Sequence, residues 1–246
     1  MEPLVTVVTV AFNSEKTIEK TIKSVLGQTY PKIEYLIIDG RSSDKTVELC
    51  KRYEKQALER GYLYRIVSEK DKGIYDAMNK GIAMAKGEIL GFINSDDWYE
   101  KDAVSLSVKT MLKKGCDITF GDIAIHKADG SRIIKKAALS RYETSRHWNH
   151  PTMFVKTSVY REFPFRQKGI HDDYGAYLAM KKAGKKVEVI HRVLADFSMG
   201  GASNKRSLKL SVKRIKDRYG CYRDNGYGRW YIIECILMEA GKFIFG

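Results

Sequence analysis

Two hydrophobic rhythms alternate along the first hundred residues. Leu4 to Ala11, Ile33 to Ile38 and Glu88 to Ile93 are short, mostly apolar runs rich in Val and Ile, the pattern of strands buried on both faces. Tyr62 to Val67 reads as a further strand. Between the runs, apolar positions recur at helical spacing. Ile18, Ile22, Val25 and Leu26 follow Ser14, and Val47, Leu49 and Tyr53 follow Ser43 in a helix that stops near Gly61. Ile74 to Ala85 forms a third helix, ended by Gly87. The order β-α-β-α-β-α-β predicts a mostly parallel sheet flanked by helices, and such sheets bind ligands at the carboxyl ends of their strands.

After residue 100 the rhythm changes. Ala103 to Lys113 predicts a helix. Ile118 to His126 and Arg132 to Lys136 flank Asp129-Gly130, a hairpin signal. Asp172 to Ala183 predicts a helix and Val187 to Phe197 a strand. No Pro/Gly/Ser linker separates the halves, so residues 1–203 read as one mixed α/β domain. A tail follows over 204–246. Lys205, Arg206, Lys209, Lys213, Arg214, Lys216 and Arg218 alternate there with Leu208, Leu210, Val212 and Ile215. Trp230 to Ile233, Ile236, Leu237, Phe243 and Phe245 then make an aromatic-apolar segment.

With 246 residues and 43% hydrophobic content the chain buries a sizeable core, which excludes a disordered or collagen-like protein. The formal charge of +14 calls for an anionic partner: nucleic acid, an acidic membrane or a phosphorylated substrate. No apolar run reaches the roughly 18 residues of a membrane-spanning helix. The opening apolar stretch alternates with Thr6 and Thr9, so it reads as a strand and not as a signal peptide. Cys50, Cys116, Cys221 and Cys235 show no metal or C-x-x-C spacing and read as reduced thiols of a cytosolic protein.

The candidate chemistry sits at the predicted strand ends. Asp96-Asp97 follows a buried strand, and a hard divalent cation bridging a diphosphate would offset the repulsion between the two carboxylates. A solvated turn is the competing reading. Asp39 ends another strand, where an acid can accept from a nucleobase or ribose, or cap the turn Arg41-Ser42-Ser43-Asp44. Asp71 to Gly81 opens a helix with Lys72 at its mouth, suited to phosphate, and places Asp76 and Asn79 on one face. Asp172-Asp173-Tyr174 heads an apolar helix, where an acid can serve as general base or as helix cap. His126, His147, His150, His171 and His191 lack zinc-ligand spacing. The signatures of P-loop, serine-hydrolase and dinucleotide-binding proteins are absent.

Five ordered segments together resemble family 2 glycosyltransferases of the GT-A fold, in the branch of bacterial enzymes that build surface polysaccharide of the colanic-acid type. They are Val5 to Asn13, Ser24 to Tyr30, Glu34 to Gly40, Asp71 to Gly81 and Gly91 to Tyr99. The resemblance is dense over residues 4 to 100. It continues more thinly through His150, the Asp172 helix and Ala195 to Ser203. It implies a nucleotide-sugar half over about 1–100 and an acceptor half over about 101–203.

The resemblance also implies roles. Thr9, Ala11 and Phe12 would line a base pocket, and Asp39 would bind uracil or ribose. Asp71, Lys72, Asn79 and Asp96 would hold the nucleotide-sugar. Asp96 or Asp97 would bind Mn²⁺ or Mg²⁺ on the diphosphate, and Asp173 would be the base of an inverting transfer. Two departures stand out: Asn94 occupies the first acidic position of the D-x-D pattern, and Ala179-Met180-Lys181 occupies the stretch after the base where an Arg is common. The Q-x-x-R-W signature of processive members is missing, which implies one sugar per encounter. The implied partners are a UDP-sugar donor and a saccharide or lipid-linked acceptor. The basic tail would then hold the enzyme peripherally at the anionic inner face of the bacterial cell membrane. A nucleic-acid-binding protein using that tail, and a nucleotidyltransferase lacking its glycine-rich loop, are the alternatives.

Overall fold

The computed structural model describes residues 2–127, 129–199 and 207–245, the side chains of 242–245 excepted. Gly200 to Ser203, Lys205 and Arg206 of the motifs above lie outside the described residues, as do the side chains of Phe243 and Phe245.

The first half follows the apolar pattern closely. β1 (Val5–Ala11), α1 (Ile18–Leu26), β2 (Ile33–Asp39), α2 (Thr46–Arg52), α3 (Glu54–Glu59), β3 (Leu63–Ser68), α4 (Ile74–Met84) and β4 (Ile89–Asn94) succeed one another. The helix expected from Ser43 to Gly61 is broken at Tyr53, whose hydroxyl donates to Glu19 at 2.7 Å and so ties the joint to α1. Ser14 does not cap α1 with its side chain. Its backbone carbonyl takes the first N–H groups, and its hydroxyl turns to Ser95 at 2.7 Å.

The second half holds β5 (Trp98–Tyr99), α5 (Ala103–Lys114), β6 (Ile118–His126), β7 (Arg132–Lys135), β8 (Phe154–Lys156), α6 (Thr157–Glu162), α7 (Asp172–Lys182) and β9 (Val187–Ser198). Short 3₁₀ turns at Ser145–His147 and His150–Thr152 precede β8. The described strands form one sheet in the order β3-β2-β1-β4-β8-β6-β9-β5, with β7 on β6. β3, β2, β1 and β4 are parallel throughout, and β6 pairs β9 parallel over their length. Three-residue β8 joins the two parallel groups by antiparallel pairing.

The strands bury both faces. Val5, Val7, Ile33, Tyr35 and Ile37 pack with α1, α2 and α5, and Val8, Val10, Leu36, Ile38 and Phe92 pack with α4, α6 and α7. α4 lies so close to β1 that a Cβ at Gly81 would sit 2.7 Å from a Val8 methyl.

The tail folds back as α8 (Leu208–Asp224) and α9 (Tyr231–Phe245). It joins the core: Tyr222, Tyr231 and Cys235 are buried in the α4–α7 layer. Two cations of the basic run are buried as well. Arg214 Nε lies 2.8 Å from Glu239 Oε2, and Arg218 Nη2 lies 3.8 Å from Glu239 Oε1.

Candidate active site

In-register pairing brings four strand ends to one edge. Ala11 faces Asp39, Asp39 faces Ser68, and Val10 faces Asn94. The loops leaving these ends are stitched together. Asn13, at φ 48°, accepts the Ser43 N–H on its side-chain oxygen at 2.9 Å, and its own N–H donates to the Ser42 hydroxyl at 2.8 Å.

Asp39 is fully buried. Its Oδ2 accepts the Ser42 N–H at 2.9 Å and the Ser68 hydroxyl at 2.6 Å, and Oδ1 accepts the Ser42 hydroxyl. The carboxylate thus fixes the turn after β2 without capping the helix that follows. The open surface is beside it. A Cβ at Gly40 would come within 2.5 Å of Asp71 Oδ2 and 3.3 Å of the Phe12 ring, so both side chains close on the bare glycine. Phe12 is 63% exposed. Asp71 Oδ1 accepts the Gly73 N–H at 2.8 Å at the mouth of α4, where Lys72 is exposed.

Two expected residues do not join this surface. Thr9 lies two positions inside β1, fully buried, with its hydroxyl 3.0 Å from that of Tyr35; both faces of this strand are covered, so no position inside it is open to a ligand. Asn79 spends its amide on one neighbour, donating to the Phe165 carbonyl at 2.8 Å and accepting the Phe165 N–H at 3.0 Å. Ala11 is buried at the strand end.

The turn after β4 separates its two acids. Asp97 is fully buried, accepting the Ser198 N–H at 3.1 Å on Oδ1 and lying 3.4 Å from the Asn94 amide on Oδ2. Burial, then the neighbouring Asp96, pushes its pKa well up. Asp96 is half-buried, and burial raises its pKa too. The Asn94 side-chain oxygen is buried without a partner among the described residues. The Thr21 hydroxyl on α1 donates to the Asp97 carbonyl at 2.6 Å and holds the turn.

The acids at the head of α7 also part. Asp172 accepts the Lys168 N–H at 2.6 Å and fixes the preceding loop, so it caps that loop and not its own helix. Asp173 faces α4 and the 3₁₀ turn before β8. Its Oδ1 accepts the Tyr75 hydroxyl at 3.1 Å, and its Oδ2 lies 3.5 Å from His150 Nδ1. Tyr75 was not singled out from the sequence, although it sits inside the Asp71 to Gly81 segment, one turn from Lys72.

With this geometry in view, the comparisons define the class. The family model described as glycosyl transferase family 2 matches residues 6–183, and the chain belongs to that family. The Escherichia coli UDP-Glc:alpha-D-GlcNAc-diphosphoundecaprenol beta-1,3-glucosyltransferase WfgD is 30% identical over 252 residues, which cover 98% of this chain and 96% of that protein. An uncharacterized glycosyltransferase of Mycobacterium tuberculosis is 40% identical over 46% of this chain and 42% of its own length. The matches cover only 52%, 42% and 30% of the length of three curated relatives.

Among solved structures, Staphylococcus aureus TarS with UDP-GlcNAc matches at TM-score 0.67 and 16% identity, covering 99% of this chain and 73% of that one. Pyrobaculum calidifontis mannosyltransferase PcManGT with GDP-Man and Mn²⁺ matches at TM-score 0.69 and 18% identity, covering 100% and 71%. At that identity the likeness shows the fold, which is the expected mostly parallel α/β architecture of the GT-A type.

Proposed function

We propose that the chain transfers one sugar from a UDP-sugar to a saccharide on a lipid diphosphate carrier, with inversion at the anomeric carbon. The observation that carries this reading is the Tyr75–Asp173 hydrogen bond. It ties the acid at the head of α7 to the helix that opens at the Asp71–Lys72 loop, which supports reading Asp173 as a base beside the strand ends that would hold the donor. WfgD, similar over nearly its whole length, is named for a UDP-glucose donor and a diphosphoundecaprenol acceptor. The family half over about 1–100 would hold the donor and the half over about 101–203 the acceptor.

Phe12 and Asp71, closing on Gly40, would cradle the nucleoside, and Lys72 would meet the diphosphate. Asp39 supports the cradle through its turn. The β4 turn suits a hard divalent cation: Asp96 offers a half-buried carboxylate with raised proton affinity, and Asn94 offers an orphaned oxygen. No group of three His, Cys, Asp or Glu gathers among the described residues, which leaves further coordination positions to phosphate and water. Asp96 would hold Mn²⁺ or Mg²⁺, and Asp97 would hold the turn through Ser198. A bound cation would neutralise charge on the departing diphosphate. Asp173 takes the acceptor hydroxyl proton as the oxygen attacks opposite the leaving group.

Exposed Lys209, Lys213 and Lys216 on α8, with exposed Leu208, Val212, Ile233 and Leu237, suit attachment to an anionic membrane surface where a lipid-linked acceptor resides. No helix among the described residues is long and apolar enough to cross a membrane.

Calorimetry with UDP and GDP, each with and without Mn²⁺, tests the donor site. UDP with Mn²⁺ should bind, Asp96→Asn should lose the cation dependence, and Asp173→Asn should keep UDP affinity while transfer falls by about 10² to 10⁴. Equal UDP affinity in wild type and Asp96→Asn at every Mn²⁺ concentration would overturn the site.

A further inference from the structure

We infer that His150 and Tyr75 are positioning residues for Asp173, which they approach from two different elements. The inference rests on the reading of Asp173 as the base. His150 Nδ1 stands 3.5 Å from Asp173 Oδ2, and the Tyr75 hydroxyl stands 3.1 Å from Oδ1. The Tyr75 hydroxyl also lies 3.0 Å from the Ile170 carbonyl, so its single proton is shared between that carbonyl and Asp173 Oδ1. The two groups come from different elements, and the Tyr174 N–H also donates to Oδ1 at 2.8 Å, so the carboxylate has a polar neighbour at each oxygen.

The tautomer follows from the surroundings. Among the described residues His150 Nε2 is buried without a hydrogen-bond partner, in an aromatic nest with ring centroids of Trp148 at 5.7 Å, Phe92 at 6.1 Å and Phe165 at 6.2 Å. A proton on Nε2 would be a stranded buried donor, whereas a proton on Nδ1 meets a carboxylate. Burial lowers the pKa of His150 against the opposing pull of Asp173. Burial, then Asp173, raises that of Tyr75 well above its ordinary value. Both donors are thus neutral at physiological pH. They orient the base and stabilise its ionised form without the full counter-charge that would quench its basicity.

The other titratable groups facing Asp173 are Asp172 on its own helix, Tyr160 on α6 and Cys221 on α8. Burial raises the pKa of all three, Cys221 to about 12, so the phenol and the thiol stay neutral beside the base.

Nitrogen-15 NMR of histidine-labelled full-length chain reads the tautomer without substrate. His150 should be the Nδ1–H form from pH 6 to 8 and lose that preference in Asp173→Ala; an Nε2–H form in wild type overturns the inference. The second arm follows transfer from UDP-glucose to α-D-GlcNAc-diphosphoundecaprenol across pH. Tyr75→Phe and His150→Phe keep the ring packing. Each should lower kcat roughly tenfold, leave KM for UDP-glucose unchanged and move the acid limb of the rate profile to higher pH. His150→Asn, which restores an N–H donor, should recover part of the rate. Wild-type kcat and acid limb in both aromatic variants, while Asp173→Asn is inactive, would reject the positioning role alone. Transfer by Asp173→Asn would reject the base assignment and the positioning role with it.

Discussion

Asp97 and Gly40 show how single residues shape the edge where the strand ends gather. Asp97 carries a carboxyl into a fully buried turn, and burial raises its pKa. A carboxyl whose folded pKa lies above its unfolded value binds its proton more tightly when folded. Its contribution is therefore favourable at low pH and is lost as pH rises from the unfolded value through the folded one. Asp97→Asn keeps an acceptor for the Ser198 N–H and removes the ionisation. In chelator at pH 7 it should melt about 3–6 °C above wild type, a gap that closes near pH 4 in scanning calorimetry. A melting temperature equal to or below wild type at pH 7 would mean that Asp97 has a compensating charge partner. At Gly40 the constraint is steric. A methyl would force Asp71 and the Phe12 ring outward. Gly40→Ala should weaken UDP binding about tenfold in calorimetry while the melting temperature moves little, since the displaced atoms lie at the open edge.

The elements of the first half were legible because strands buried on both faces read as unbroken apolar runs and the helices between them carry clean apolar faces. β8 and α6 were not, because a three-residue strand has no periodicity and its place is set by two partners far away in sequence. Site residues divided the same way. Positions near strand ends could be read from the pattern, as with Asp39, Asp71 and Asp96, but not that the Asp39 carboxylate is taken up by Ser42 and Ser68. Thr9 could not, because it lies two residues inside a strand covered on both faces, and the apolar run does not mark where the covering ends. Tyr75 was invisible because its partner lies 98 residues away. The run of cations in α8 likewise gave no hint that Arg214 and Arg218 turn inward onto Glu239. Glu239→Gln would leave two buried guanidinium groups without their carboxylate. The α8–α9 pair should then lose roughly 3–5 kcal/mol, seen as a lowered urea midpoint. An unchanged midpoint would show that the triad contributes no net stability.

At the scale of the molecule, the charge of +14 is unevenly committed. Arg214 and Arg218 are buried, and Arg166 and Lys168 both hold Asp224, at 3.2 and 2.9 Å. Lys209, Lys213 and Lys216 remain exposed on the helix whose Leu208 and Val212 are also exposed, and α9 adds Ile233, Ile236 and Leu237. Removing the tail to test membrane attachment would confuse two effects, since Tyr222, Tyr231 and Cys235 belong to the core and the chain would lose fold along with charge. Substituting the three exposed lysines by Glu leaves those core residues in place. Sedimentation with vesicles containing anionic lipid should fall at least tenfold in the triple variant, since each juxtamembrane cation contributes about 1 kcal/mol. The wild-type binding should itself weaken between 50 and 300 mM salt as screening shortens the reach of the charges. The melting temperature should stay within a few degrees of wild type, which separates the surface effect from unfolding. Full vesicle binding by the triple variant at low salt would remove α8 as the electrostatic contact, leaving the apolar face of α9 to carry any attachment.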